Sequence, residues 1–225
     1  MKANVFSHTQ LIGTANLEVC DESMGCICGE FYPTDIYLGE IQTYAISIQE
    51  TGKLNDEKWN SFRINIQLEN GYFIPSSVGV LIQDFDKSLS SPKTIDIVRL
   101  DRHIFEDFFK NQTSIDFVIP PWYSISIEQK IAFEDELFKE LGEKSKIPFL
   151  SKLFPSKHVL SEFEVSALCK DARSDDVLFM VRNKKSDMEF AVVHLTWLGK
   201  KEQTGFPRTE FYKDFNHFRT ERNGF

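Results

Sequence analysis

No stretch of this 225-residue chain stays apolar for the ~18 residues needed to cross a bilayer, and MKANVFSHTQ at its start lacks the continuous apolar core of a secretory signal. Those two absences set the expectation of a protein that begins and remains in the cytoplasm. An excess of positive charge is missing as well: 34 acids against 26 bases leave a net charge of −8. Such a balance opposes binding to a phosphate backbone, so nucleic acid is not the expected partner. A basic protein surface is, although a charge of this size also serves solubility alone. Cysteine is scarce. Cys20, Cys26, Cys28 and Cys169 include a Cys-x-Cys but no Cys-x-x-Cys, and no His stands at ligand spacing nearby. That pattern fits no standard metal framework, and neither metal nor cofactor is expected. The thiols are expected to be free and buried as small hydrophobes. In CDESMGCICG, Gly25 and Gly29 lack the lysine and following helix of a phosphate-cradling loop; their expected use is a bulge or a close backbone approach.

What is present is patterned for strands. Hydrophobic residues at 41% and charged residues at 27% lie near globular averages, which excludes wholesale disorder. In Ser174–Trp197, Val177–Val181 and Phe190–Thr196 are rich in β-branched and aromatic residues, and the polar RNKKSDM between them is loop chemistry. This reads as a hairpin. A second hairpin is expected from LIGTANLEVC and MGCICGEFY, then a short helix from Thr34 or Asp35 to Gln49. FRINIQL alternates cleanly over Phe62–Leu68, and Asn70-Gly71 suits a type I′ turn. Strands over Val78–Phe85 and Lys93–Leu100 follow, and then a short helix capped by Asp101 carrying Ile104, Phe105, Phe108 and Phe109. Pro120-Pro121 marks a boundary. Beyond it the apolar arc Ile127, Ile131, Phe133, Leu137, Phe138 and Leu141 predicts a helix, with Lys130 and Glu134 intruding. Glu162–Lys170 is a strand candidate, and Phe211, Phe215 and Phe218 predict a helix over Thr209–Arg222 ended by Asn223-Gly224. The expected fold class is α+β: two antiparallel-sheet modules, each with packed helices, joined by a helical connector. The expected boundaries are 1–118 for a β-rich module, 119–156 for the connector, and 157–225 for a three-stranded sheet plus a C-terminal helix.

Two acids before Val-Leu-Phe, followed by Ala-Val-Val-His-Leu-Thr-Trp, resemble uncharacterised bacterial two-module proteins, some associated with polymorphic toxins. The likeness extends over IGTANLEVCDESMG, the following GEF, and the second module. It implies an immunity protein that binds and neutralises a cognate toxin, and it brings no catalytic residues.

The candidate site residues carry two meanings each. His194, mid-strand, would activate a thiol if Cys169 faced it from the neighbouring strand; otherwise it is a hydrogen-bonded structural histidine. Asp171, Asp175 and Asp176 precede the hairpin, where acids either pair for acid-base work or bond their own backbone in a turn. With Trp197, Phe206 and Tyr212 they would make a contact patch, aromatics carrying the binding energy. Glu134, Asp135 and Glu136 offer a second acidic face. No catalytic residue is expected. The expected function is non-enzymatic protein binding, with two alternatives: a small cytosolic hydrolase using a Cys/His or acidic site, and a general interaction domain.

Overall fold

The computed structural model describes residues 1–75, 79–88, 91–100, 102–110, 117–142, 158–201 and 206–222. The protein is α+β, with two antiparallel sheets of seven and five strands. The chain divides into two compact units, Met1–Asp116 and Phe117–Phe225.

The first unit is built on β1 (Lys2–Ser7), β2 (Gln10–Asp21), β3 (Cys26–Pro33), β4 (Ile64–Leu68), β5 (Phe73–Ile74), β6 (Gly79–Gln83) and β7 (Thr94–Val98), in the order β5-β4-β1-β2-β3-β7-β6. The two-residue period decides the faces. Ala3, Val5, Ala15, Leu17, Ile27, Phe31, Ile66, Ile95 and Ile97 are buried, while Asn4, Thr14, Asn16 and Glu30 are exposed. β2 and β3 form the expected hairpin, with a bulge between Val19 and Asp21. Gly29 is required there, since a Cβ would fall 1.8 Å from the Asn16 carbonyl oxygen.

Two local expectations change. Helix α1 (Glu40–Thr51) starts later than Asp35, because Thr34 and Asp35 carbonyls accept turn bonds from the Tyr37 and Leu38 N–H groups. The Asn70-Gly71 turn is not type I′, since Gly71 alone is left-handed, at φ 88. Gly71 N–H closes a turn on the Leu68 carbonyl, and Asn70 Oδ1 accepts from Tyr72 N–H at 3.0 Å. This is the three-residue hairpin in which a turn is followed by a left-handed glycine. Helix α2 (Asp56–Ser61) is capped by Asn55, and α3 (Arg102–Ile104) runs into a π-helical turn, Phe105–Lys110, burying Phe105, Phe108 and Phe109. The expected cap at Asp101 lies outside the described residues.

A charged group lies in this unit's interior. Lys93 Nζ is 3.0 Å from Asp84 Oδ1, and both side chains are fully buried. Asp84 Oδ2 accepts from the Tyr37 hydroxyl at 3.2 Å and from Gln42 Nε2 at 3.1 Å, while Lys93 donates to the Ser88 carbonyl at 3.0 Å. The buried charges are thus satisfied on both sides, as burial demands.

The second unit contains β8 (Trp122–Ser124), α4 (Ile127–Glu140), β9 (Glu164–Asp171), β10 (Asp176–Arg182), β11 (Phe190–His194), β12 (Arg208–Tyr212) and α5 (Phe215–Arg222). Strand order is β12-β11-β10-β9-β8. The β10–β11 hairpin lies where the sequence placed it. The expected three-stranded sheet has five strands, and two corrections explain the difference. Residues 209–212 are strand rather than helix, because Arg208–Tyr212 pairs with β11 along its whole length. Helix α5 starts only after Asp214, whose Oδ1 accepts from His217 N–H at 2.8 Å. The described part of the expected connector, 119–142, also belongs to this unit, since Trp122 pairs with Asp171 and Lys130 of α4 bonds Ser166 Oγ of β9 at 2.7 Å. The rest of the connector, and the Asn223-Gly224 cap, lie outside the described residues.

The two helices cover opposite faces. Phe218 of α5 meets Trp122 edge-on at 5.0 Å, and Trp122 shares a face with its partner Asp171. Lys170, one residue away and therefore on the other face, lies over Phe133 of α4.

Candidate functional site

The chain leaving β11 is held by α4. Helix α4 opens with a capping box, Ser126 and Gln129 exchanging side-chain and backbone bonds. One face carries Phe133 and Leu137 into the core together with Glu136 and Glu140, which the four-residue spacing stacks one turn apart. Both carboxylates are buried. Glu140 Oε1 accepts from Thr196 N–H at 2.6 Å, from the Thr196 hydroxyl at 2.9 Å and from Trp197 N–H at 2.9 Å. Glu136 Oε1 accepts from Gly199 N–H at 2.7 Å, and its other oxygen accepts from Lys139 Nζ at 3.2 Å. Burial pushes the Glu140 carboxyl above the ordinary carboxylate value, opposed by the bonds from Thr196 and Trp197.

These bonds fix an unfavourable backbone. Trp197 is left-handed at φ 60, a conformation that costs a residue with a Cβ roughly 1–2 kcal/mol. Gly199 follows at φ 65 without that cost. The result is outward presentation: Trp197 is 44% exposed and Leu198 58%. Trp197 keeps one edge-on contact, with Phe133 at 5.8 Å. Lys200 and Lys201 continue the chain, both exposed.

A separate polar network lies on the α5 side. His194 Nδ1 is 2.8 Å from Asp176 Oδ1, its register partner on β10. Arg222, in the last turn of α5, bonds Glu210 Oε2 at 2.6 Å and the Tyr212 hydroxyl at 2.8 Å, and lies 3.8 Å from Asp176 Oδ2. Arg208 reaches the other oxygen of Glu210 at 3.1 Å. Every acid in this network meets a cation, and together they fasten the end of α5 to β10, β11 and β12.

The structure separates the residues expected to act together. Asp171 is buried and chelated by Arg173, which holds its carboxyl below the usual carboxylate range. Asp175 pairs with Lys170 at 3.2 Å, and Asp176 is engaged as above. Tyr212 is buried, and burial holds its phenol protonated. Glu134 bonds Lys130 and the Ala167 N–H, and Glu136 is buried under Gly199. Asp135, between them, is half-buried. Buried or internally bonded, Asp171, Tyr212, Glu134 and Glu136 do not form the surface expected of them. Trp197 and Phe206 are exposed. Cys169 does not face His194, because β10 lies between their strands; it is wholly buried, and burial pushes its thiol up.

Glu140 was not among the expected site residues. Its signal in the sequence is an acid four residues after Glu136 on an apolar helix face, the kind of intrusion that marks a buried polar partner. Among the described residues no helix is long and apolar enough to cross a membrane. Comparison of the chain with family models, curated proteins and solved structures finds no match.

Proposed function

We propose that this is a non-enzymatic binding protein that engages a protein partner through Trp197 and Leu198. The observation that carries the reading is the cost of the loop's conformation. Two buried carboxylates of α4 and a left-handed tryptophan are used to hold an aromatic and an aliphatic side chain in water. A chain that needed only to leave β11 would relax the tryptophan and turn it inward. A rigid, half-exposed aromatic beside an exposed leucine has the makeup of a binding hot spot. The resemblance read in the second module's sequence makes a cognate toxin the partner to test first, with this protein proposed as its immunity factor.

The test is co-expression with the toxin candidate encoded beside the protein's own gene. Growth should be restored by the wild type and lost with Trp197→Ala combined with Leu198→Ala, a variant whose circular dichroism and melting stay those of the wild type. Protection that survives in the double variant removes this site from the interface. His194→Ala tests the hydrolase alternative, whose expected Cys169–His194 site the fold separates and which keeps only the His194–Asp176 pair: it should leave protection intact, and its loss in a folded variant would favour acid-base chemistry.

A further inference from the structure

The loop that presents Trp197 and Leu198 differs in charge from the chain as a whole. Lys200 and Lys201 follow the two apolar residues, both are exposed, and among the described residues no acid pairs with either. The stem of Lys201 lies across the end of α4, where a Cβ on Gly142 would fall 2.6 Å from the Lys201 Cδ. A cation there suits the carbonyl end of a helix, a service that accounts for one lysine but not for two. Lys139 stands beside Gly199, because Glu136 accepts from both, and its side chain is exposed. The acids that flank the loop are engaged. Glu136 and Glu140 are buried beneath it and accept its N–H groups. Asp175 is held by Lys170, and Glu134 by Lys130 and the Ala167 N–H. Asp135, half-buried, is the remaining acid of this part of α4, and Glu202, the next acid along the chain, lies outside the described residues. On a chain of net charge −8, the described rim of this contact therefore carries more surface cations than acids.

We propose that the partner receives Trp197 and Leu198 in an apolar pocket rimmed by carboxylates, which Lys200 and Lys201 meet and Lys139 borders. The inference rests on the reading of Trp197 and Leu198 as the contact, and adds the chemistry of the surface they enter. Apolar anchors at the centre with charges at the rim divide the work of an interface: the centre sets how long the complex lasts, the rim how fast and with which partner it forms. The sign runs against the whole-chain charge, which favours a basic partner. At the contact itself only charges within a screening length of about 8–10 Å act at full strength, so the lysines decide it. An anionic lipid surface shares the chemistry that would recognise lysines beside a tryptophan, but it is negative across the whole width of the protein and would meet the −8 as well as the lysines. Stable anchoring there also takes more than one leucine and one tryptophan whose ring keeps its contact with Phe133. A pocket on a protein has to be acidic only where the lysines touch it.

The probe is the toxin candidate encoded beside the protein's own gene, purified in an inactive form, with association and dissociation followed by stopped flow. Lys200→Glu combined with Lys201→Glu should slow association about tenfold or more at low salt, and the deficit should close toward ~1 M salt, where the screening length is about 3 Å. Lys184→Glu combined with Lys185→Glu makes the same change in net charge on exposed lysines that precede β11, at the other end of that strand, and should slow association much less. Trp197→Ala combined with Leu198→Ala should instead speed dissociation. All three variants replace exposed side chains and should melt like the wild type. Reversal at 200 and 201 that leaves association unchanged or makes it faster, while the Trp197 and Leu198 variant still releases the partner sooner, would overturn the acidic rim and leave the contact standing. Equal slowing by the two lysine pairs would overturn it as well, by tracing the effect to net charge. If the Trp197 and Leu198 variant binds like the wild type, the contact itself fails and the rim with it. Sedimentation of the wild type, but not of the variant reversed at 200 and 201, with phosphatidylserine vesicles would move the site from a protein partner to a membrane.

Discussion

Replacing Glu140 tests whether the Trp197 loop is held rather than merely permitted. In Glu140→Ala, Thr196 N–H, the Thr196 hydroxyl and Trp197 N–H lose their acceptor. A bond to a charged group is worth about 1.5–3 kcal/mol, but Thr196 is half-buried and Trp197 exposed, so water takes over part of each and the loss is nearer ~1 kcal/mol per bond. Against that total of about 3 kcal/mol stand the ~1–2 kcal/mol released when Trp197 leaves the left-handed region and the desolvation of a carboxylate no longer buried. Global stability should therefore fall by no more than about 1–2 kcal/mol in urea unfolding. Local opening should change much more, and hydrogen exchange at Thr196, Trp197 and Gly199 reads it directly. Glu140→Gln keeps an acceptor oxygen and should retain most of the protection. It also fixes the sign with pH: because the folded carboxyl titrates above its unfolded value, its contribution is fully present below the unfolded pKa and is lost as pH rises through the raised folded pKa. The wild type should accordingly lose stability relative to Glu140→Gln as pH rises across that interval, which begins at the ordinary carboxylate range. Unchanged exchange at Thr196 and Trp197 in Glu140→Ala would refute the reasoning, since the loop would then be held by something other than this carboxylate.

Two further outcomes follow from packing and pairing. Lys93→Met leaves Asp84 charged in a dry interior and should cost about 3–5 kcal/mol, while adding Asp84→Asn should recover part of that loss; equal urea midpoints for Lys93→Met and the wild type would show the pair to be unimportant. A fragment spanning 117–225 should fold alone and one spanning 158–225 should not, because the shorter piece lacks β8 and the α4 residues Lys130, Phe133 and Leu137; native-like circular dichroism from the shorter fragment would contradict this.

Much of this fold was legible where local chemistry and tertiary packing agree. The β10–β11 hairpin and α4 announce themselves through β-branched strands around a polar loop and through an apolar arc at helical spacing. Legibility failed where a short element takes its identity from a neighbour. Trp122–Ser124 is three residues long and becomes a strand by pairing with β9, so the segment after the two prolines reads as a connector although it belongs to the second unit, which begins at Phe117. Phe211, Phe215 and Phe218 fit a helical period, yet Phe211 pairs with Ala191 in the sheet and only the other two belong to α5. The scarce cysteines read as buried, yet in β3 it is Ile27 that faces the core, so alternation turns its neighbours Cys26 and Cys28 to the other face, where they are half-buried, and Cys20 is exposed. Trp197 was placed on a strand. The strand ends at His194 because the N–H groups beyond turn to a carboxylate 56 residues earlier in the chain, a partner that no local pattern could reveal.

The net charge invites one more correction, with a measurable consequence. A charge of −8 suggests a partner drawn in by long-range attraction, with Asp171, Asp175 and Asp176 as the steering acids. In the folded protein each of the three faces a cation: Arg173, Lys170, and Arg222 with His194 beside it. Paired charges a few ångströms apart cancel beyond roughly 8–10 Å in physiological salt, which is the range over which steering acts. What the proposed contact offers instead is apolar, and lysines rather than acids follow it in the chain. Association of the cognate partner, followed by stopped flow, should therefore owe little of its salt dependence to these three acids, and Trp197→Ala should act mainly by speeding dissociation. Neutralising Asp171, Asp175 and Asp176 together should appear as lost stability, because Arg173, Lys170 and Arg222 are each stripped of an acid. A triple variant that melts like the wild type yet associates more slowly, with a flattened salt dependence, would return the binding role to the acids and take it from the tryptophan.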